Sequence, residues 1–269
     1  DLIMLEVLRD KLEEQDFIVS QLEYLQESMD TLASTLQEYD SVDVFLAMSV
    51  TSSDDAVGAE ATGSADPGAH TVEVDQWARA AVGANRETGV SAVDDEVAAS
   101  NTSLSLTYAG ESFTVDVPAG ATLEDLVDLV NAECDGLVEA DVINDGDAWY
   151  FLLTGADTGA DNAITIDGTG TLAGFSVAGF VNTQQCCDAR LRVDGFPPEA
   201  DQWITRSTNE IDDVIDDVTL ALATTTDDGA ATVSIAYDED AIVEKVETVI
   251  SAINETILTV QTLTGRISA

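Results

Sequence analysis

The stretch Asp16-Phe17-Ile18-Val19-Ser20-Gln21-Leu22-Glu23-Tyr24-Leu25-Gln26-Glu27-Ser28-Met29-Asp30-Thr31-Leu32-Ala33-Ser34-Thr35-Leu36-Gln37-Glu38-Tyr39 decides how the rest of the chain must be arranged. Ile18, Leu22, Leu25, Met29, Leu32, Leu36 and Tyr39 recur at alternating intervals of four and three, the apolar seam of a coiled coil. No Gly or Pro interrupts the chain before Gly58. The first 40 or so residues are therefore expected to form one helix, roughly 60 Å long at 1.5 Å per residue. A helix of that length cannot bury its seam alone, and the matching stripe lies at the opposite end of the chain. There Ile242, Val246, Val249, Ile253, Ile257 and Val260 repeat at helical spacing, with Asp238 in the N-cap position. Two terminal helices bracketing everything else predict an antiparallel, coiled-coil-like stalk with the intervening residues inserted at its end.

Those intervening residues change character at Thr51, becoming rich in Ala, Thr, Ser, Gly and Asp with strand-like alternation. Pro67-Gly68-Ala69-His70-Thr71-Val72-Glu73-Val74 reads as a turn entering a strand. Leu104 and Leu106, then Phe113, Val115 and Val117, alternate about the turn Ala109-Gly110. A helix with Leu123, Leu126, Val127 and Val130 on one face follows, then Val138, Ala140 and Val142, and the turn Asn144-Asp145-Gly146 into Trp149–Leu153. This is a β-β-α-β-β unit. Further on, Arg190–Val193 and a return strand containing Ile204 are expected to pair. Val218, Leu220 and Leu222 are expected to oppose Val233, Ile235 and Tyr237 across Asp227-Asp228-Gly229. The predicted class is α+β: residues 1–46 and 239–269 a helical domain, 47–98 and 186–238 a β-rich domain, and 99–185 a second, inserted domain.

Composition constrains the chemistry. Of 269 residues, 53 are Asp or Glu and 9 are Lys or Arg, giving a formal net charge of −44. At 45% hydrophobic residues the chain is not a disordered acidic tail. Phosphate recognition needs clustered basic side chains, so nucleic acid and anionic membrane are excluded as partners. The carboxylates are spread along the whole chain and Lys is confined to Lys11 and Lys245. That pattern points to the solvent of a salt-loving organism, where mobile ions screen the self-repulsion, since a binding face for cations would concentrate the charge in one segment. No segment approaches the roughly 20 apolar residues of a membrane span, and no charged-then-apolar leader opens the chain.

Catalytic and metal chemistry find little footing. His70 is the lone histidine, which removes His-based triads and His-bearing zinc sites. Cys134 is isolated and Cys186 and Cys187 are adjacent, so the cysteines read as small hydrophobes. Acid pairs such as Asp212 and Asp213 are expected by chance in so acidic a chain. The loop Asp141 to Asp147 lacks the spacing and final Glu of a calcium loop and reads as a hairpin turn. No enzyme, cofactor or metal is expected.

One run carries a resemblance. Val193-Asp194-Gly195, then Ile204-Thr205-Arg206-Ser207-Thr208-Asn209-Glu210-Ile211-Asp212-Asp213-Val214-Ile215 running into Val218-Thr219-Leu220, resembles the "VDG…ITRSSN-IDDVI-GVTL" run of bacterial flagellar filament-cap proteins, the hook-associated protein two or FliD family. Asp238–Val246, Ala252–Glu255, Ala65–Gly68 with Thr71–Val74, Gly120–Leu126 and Leu153–Gly159 are similar to further family segments in the same order. The acidity and a longer turn from Pro197 to Gln202 depart from the family pattern.

The resemblance implies a leg domain made by the terminal helices, carrying two head domains. It also implies a ring-like homo-oligomer, commonly pentameric, that holds arriving flagellin at the filament tip while it folds and polymerises. Export through the flagellar channel without a cleaved signal follows from it, as do contacts with hook–filament junction proteins. It further implies that flanking segments of a full cap protein, and the later part of its C-terminal helical region, lie outside this chain. The heptad seam is then either leg core or intersubunit contact. An alternative is an adhesin binding host or surface glycans through exposed head aromatics, the candidates being Trp77, Trp149, Phe175 and Phe180.

Overall fold

The computed structural model describes residues 2–226 and 229–265. Helix α1 spans Leu2–Glu38 and the short α2 spans Val42–Phe45, with Ser41 as its N-cap. The chain then enters strands β1 (Met48–Ser52), β2 (Val57–Ala61), β3 (Gly68–Gln76) and β4 (Ala80–Asn85). Next come β5 (Thr102–Tyr108), β6 (Glu111–Val117), α3 (Leu123–Cys134), β7 (Val138–Asn144), β8 (Trp149–Thr158), β9 (Ile164–Gly168) and β10 (Phe180–Gln184). The chain returns through β11 (Ala189–Val193), β12 (Ile204–Arg206), β13 (Glu210–Ile215), β14 (Val218–Leu222) and β15 (Ala231–Tyr237) to helix α4 (Glu239–Leu263). Among the described residues every strand ladder is antiparallel, so the class is α+β.

Two separate cores hold the β regions. In the first, a five-stranded sheet in the order β1-β15-β3-β11-β12 faces a three-stranded sheet β13-β14-β2. Val72, Val74, Leu191 and Val233 from one sheet meet Val57, Ile211, Val218 and Leu220 from the other, all essentially inaccessible to water. The alternation read from the sequence is the signature of such half-buried strands. In the second, sheet β10-β4-β8-β7, sheet β6-β5-β9 and α3 close around Leu104, Leu106, Leu123, Leu126, Phe151 and Leu153. Helix α3 begins where the sequence indicates, in a capping box: the Thr122 hydroxyl accepts from the Asp125 N–H, and the Asp125 carboxylate accepts from the Thr122 N–H.

Two expectations change. Val218, Leu220 and Leu222 do not pair with Val233, Ile235 and Tyr237; β14 joins β13 and β2, while β15 joins β1 and β3. The two strands face each other across the core instead of sharing an edge, which alternation alone cannot distinguish from a hairpin. Of the turn assigned between them, Asp227 and Asp228 lie outside the described residues. The sequence division also left residues 80–98 with the first β region, yet β4 is laddered to β8 and β10, and Val97 and Ala98 sit in the second core. The crossing between the two cores therefore falls beside Arg79. The β-β-α-β-β unit forms in the order read from the sequence, with β5-β6 and β7-β8 in different sheets.

Helices α1 and α4 pack antiparallel. Ser28 and Thr256 meet side chain to side chain at 3.2 Å, and the Lys245 ammonium donates to the Val44 carbonyl at 2.7 Å near the closed end. Asp238 caps α4, accepting from the Ala241 N–H at 2.9 Å. No described helix is long and apolar enough to cross a membrane.

Candidate functional site

Two features have no explanation in core packing alone: the faces of the helical hairpin and the run from Val193 to Leu220. On α1 the half-buried residues facing α4 are Gln21, Leu25, Ser28, Leu32, Thr35 and Tyr39. From the predicted seam only Leu25, Leu32 and Tyr39 belong to this row; Ile18, Leu22, Met29 and Leu36 are roughly half exposed. Helix α4 divides the same way. Ile242, Val246 and Val249 are partly covered, whereas Ile253, Ile257 and Val260 are exposed and the row continues through Ala252, Thr256 and Thr259. Short side chains at 28, 252, 256 and 259 let the helices approach closely. The apolar stripe is wider than one partner helix can cover, so periodicity could not tell which half faces α4.

The run from Val193 holds the head together. Asp194 and Gly195 both have positive φ (52° and 74°), and Val193 and Phe196 exchange backbone hydrogen bonds, forming a two-residue hairpin turn. Burial alone would raise the Asp194 pKa. The Thr71 N–H at 2.8 Å and His70 Nδ1 at 2.8 Å outweigh it and hold the carboxyl below its ordinary range. Ile204 and Thr205 sit on β12, paired with β11. Arg206 clamps Asp213 of β13, its Nε donating to both carboxylate oxygens at 2.8 and 3.0 Å, and this hydrogen bonding lowers the Asp213 pKa. Val214 packs partly buried and Ile215 closes the core edge.

Asn209 ties the first core together, and Ser207 reaches toward the second. The Asn209 side chain accepts from the Ala78 N–H at 2.7 Å and donates to the Ala78 carbonyl at 2.9 Å, satisfying both backbone groups of a fully buried residue. The Thr158 hydroxyl donates to the Ser207 carbonyl at 2.6 Å. Ala160 N–H donates to Asp188 at 2.8 Å, and Arg79 and Cys187 form a backbone bridge. The run that carries the resemblance thus builds the turn, the sheet and the seam between the two head modules.

The aromatics proposed for glycan binding are not displayed. Phe175 is buried and stacked edge-on with Phe151 at 5.6 Å; Phe180 and Trp149 pack against the same core, and Trp77 is partly covered. Among the described residues the exposed head aromatics are instead Phe196, 65% accessible at the tip of the longer turn, and Tyr237 at the end of β15, 49% accessible. Beneath it Arg192 donates to the carbonyls of Glu199, Ala200 and Gln202 and lies 3.8 Å from the Trp203 ring centre, so the turn is stiff. An Arg–Trp pair flanking a Pro-rich turn was the available signal for this loop. Asp145 accepts from the Asp147 and Ala148 N–H groups at 3.0 Å, which lower its pKa, as a turn-forming Asp does.

A two-core β head carried on an antiparallel helix pair, held by backbone-directed polar contacts, defines a structural module rather than a pocket-centred one. Comparison places it in a family. The sequence model of the flagellar hook-associated protein 2 N-terminus matches residues 4–81, and that of the C-terminus matches residues 187–268. This chain belongs to the flagellar hook-associated protein 2 family. It is 28% identical to the A-type flagellar hook-associated protein 2 of Pseudomonas aeruginosa over 90% of its own length and 54% of the relative's. To the flagellar hook-associated protein 2 of Escherichia coli K12 it is 32% identical over 58% of this chain and 34% of the relative. The chain thus spans about half or less of the curated relatives it matches. The crystal structure of the D1-D2-D3 domains of the flagellar cap protein FliD from Escherichia coli superposes with a TM-score of 0.77, 27% identity, covering 91% of this chain and 70% of that one. The D2-D3 domains of the same protein give 0.62 and 29% over 72% of this chain.

Proposed function

We propose that this chain is the helical leg and two head domains of a structural cap at the distal, extracellular end of a bacterial flagellum, where it promotes folding and polymerisation of exported flagellin. The observation that carries the reading is that both ends of the chain match the family, in order, around a head and hairpin that superpose on a flagellar cap protein over 91% of the chain. Residues 2–46 and 239–265 would be the leg, with the first core as one head domain and the second core as the domain inserted in it.

The mechanism is confinement. A homo-oligomeric ring, commonly pentameric in the family, would block escape of unfolded flagellin beneath a plate of rigid heads while the legs leave a gap at the growing end. The stiffness this demands has a source in the Arg206–Asp213 clamp, which locks sheet to sheet, and in the Thr158–Ser207 contact, which ties head to head. A net charge of −44 means such a ring would assemble in salt strong enough to screen neighbouring subunits. Deleting the gene for this chain is expected to send flagellin into the medium as monomer and to abolish motility. Filaments of normal number and length after deletion would end the reading.

A further inference from the structure

We propose that a cavity beside the first core, between edge strands β12 and β13, receives the side chain of a lysine carried by a different protein. The five-stranded sheet ends at β12 and the three-stranded sheet at β13. Where these two edges approach, tied by the Arg206–Asp213 clamp, a cavity of about 350 Å³ opens to solvent. That volume falls within the roughly 300–1,000 Å³ of small-ligand sites. Its walls are apolar: Val193 from β11, Ile204 from β12, Val214 and Ile215 from β13, with Phe196 alongside. Its mouth is anionic, formed by the exposed Asp194 and Asp216 with His70 beside them.

Apolar walls ending in carboxylates select a long aliphatic stem with a positive tip. Lysine lays its four-carbon stem along apolar surface and keeps its ammonium at the polar edge. Arginine suits the mouth less well, because its planar fork seeks both oxygens of one carboxylate. In Asp194 those oxygens already accept from Thr71 and His70. Asp216 accepts no hydrogen bond among the described residues and lies open to a compact ammonium. A second copy of this chain is a poor source: its lysines are Lys11 and Lys245, the latter held by the Val44 carbonyl, and it brings a charge of −44 to an anionic mouth. A free amine would fill the cavity and leave Phe196, 65% accessible, uncovered. Arg192 fixes the turn that carries this ring through the Glu199, Ala200 and Gln202 carbonyls, so little ordering is left to lose on binding. A rigid exposed aromatic beside a pocket is the anchor of a protein–protein contact. This proposal goes beyond the cap reading and does not rest on it.

The test is a titration of the full chain, methyl-labelled at Ile and Val, with the peptide acetyl-Gly-Leu-Lys-Leu-Gly-amide. It is followed by NMR in about 0.15 M KCl, where charges beyond about 8 Å are screened. The Ile204, Val214 and Ile215 methyls should shift and saturate. A norleucine peptide, equal in stem but lacking the ammonium, should bind about tenfold more weakly, the loss of one charge-assisted hydrogen bond. Asp216→Asn should weaken the lysine peptide about threefold, whereas Asp201→Asn, the same change of net charge outside the cavity, should leave it as in the parent. Phe196→Ser should weaken the peptide and leave n-pentylammonium unaffected. Should Phe196→Ser fail to fold, the comparison of peptide with n-pentylammonium on the parent chain decides, the peptide being expected to bind more tightly. Equal binding of the norleucine peptide, tighter binding of an arginine peptide, equal losses from Asp216→Asn and Asp201→Asn, or n-pentylammonium as tight as the peptide would each overturn the proposal. None of these readouts involves filaments, so the cap reading and the lysine site fail separately.

Discussion

The heads and the hairpin use similar side chains to opposite ends. Leu104, Leu106, Leu123, Leu126, Leu153, Leu191 and Leu220 are all fully withdrawn from water in the heads. Among the described residues of the two long helices only Thr259 is buried, at 5% accessible, and Leu22, Met29, Leu36, Ile253 and Ile257 stand partly in solvent. Strand pairing brings residues distant in sequence around a point, so each head closes its own core. Two helices side by side cover only one stripe of each other. The heads are therefore self-sufficient, whereas the hairpin's stability depends on what lies against it.

That contrast can be broken at several points. The largest effect should come from Leu220→Ala, which empties a site sealed between two sheets and should cost about 3 kcal/mol, read as a lower urea midpoint. A loss no greater than that of a hairpin leucine would mean the heads are loosely packed. Asn209→Ala should follow at about 2 kcal/mol, because it strands both backbone groups of buried Ala78. Asn209→Asp, which keeps an acceptor and loses the donor, should fall between. Asp238→Ala removes the cap of α4 and should cost about 1 kcal/mol, confined to the helical transition seen by far-ultraviolet circular dichroism.

Asp194→Asn tests the pH dependence. A carboxyl whose folded pKa is lowered stabilises the fold above its ordinary value of 3.8 and loses that contribution as pH falls through the folded pKa, since the unfolded chain then binds the extra proton. At constant high salt the parent should exceed the variant near neutral pH, and the gap should close below pH 3.8. A gap that widened on acidification would refute the Thr71 and His70 contacts as its cause. The smallest effect is expected for Leu22→Ala, under about 0.5 kcal/mol, because this residue is 58% accessible; a core-sized loss there would show this flank of the hairpin to be covered.

Legibility followed the same division. The helices, the N-cap at Asp238 and the Asn144-Asp145-Gly146 turn were readable because each is settled by residues within a few positions of one another. The second core's claim on β4, and the separation of β14 from β15, were not. Both depend on which distant strand a half-buried strand selects, and alternation is the same for a neighbour in the sheet as for a strand across the core. For the candidate surfaces, the VDG run was recognised by its letters, but its work in fixing turn, sheet and head-to-head seam became visible only through partners such as Thr71, Ala78 and Thr158.

The sequence by itself determined that two terminal helices bracket β-rich modules, that no polybasic surface exists for nucleic acid, and that an apolar seam must be buried somewhere. Only the tertiary structure decided how that seam divides: Leu25, Leu32 and Tyr39 toward α4, Ile18, Leu22, Met29 and Leu36 away from it. The physical reason is geometric. Period states that a helix has an apolar side, but a stripe broader than a single helix contact has two flanks, and the position of the partner's axis selects between them.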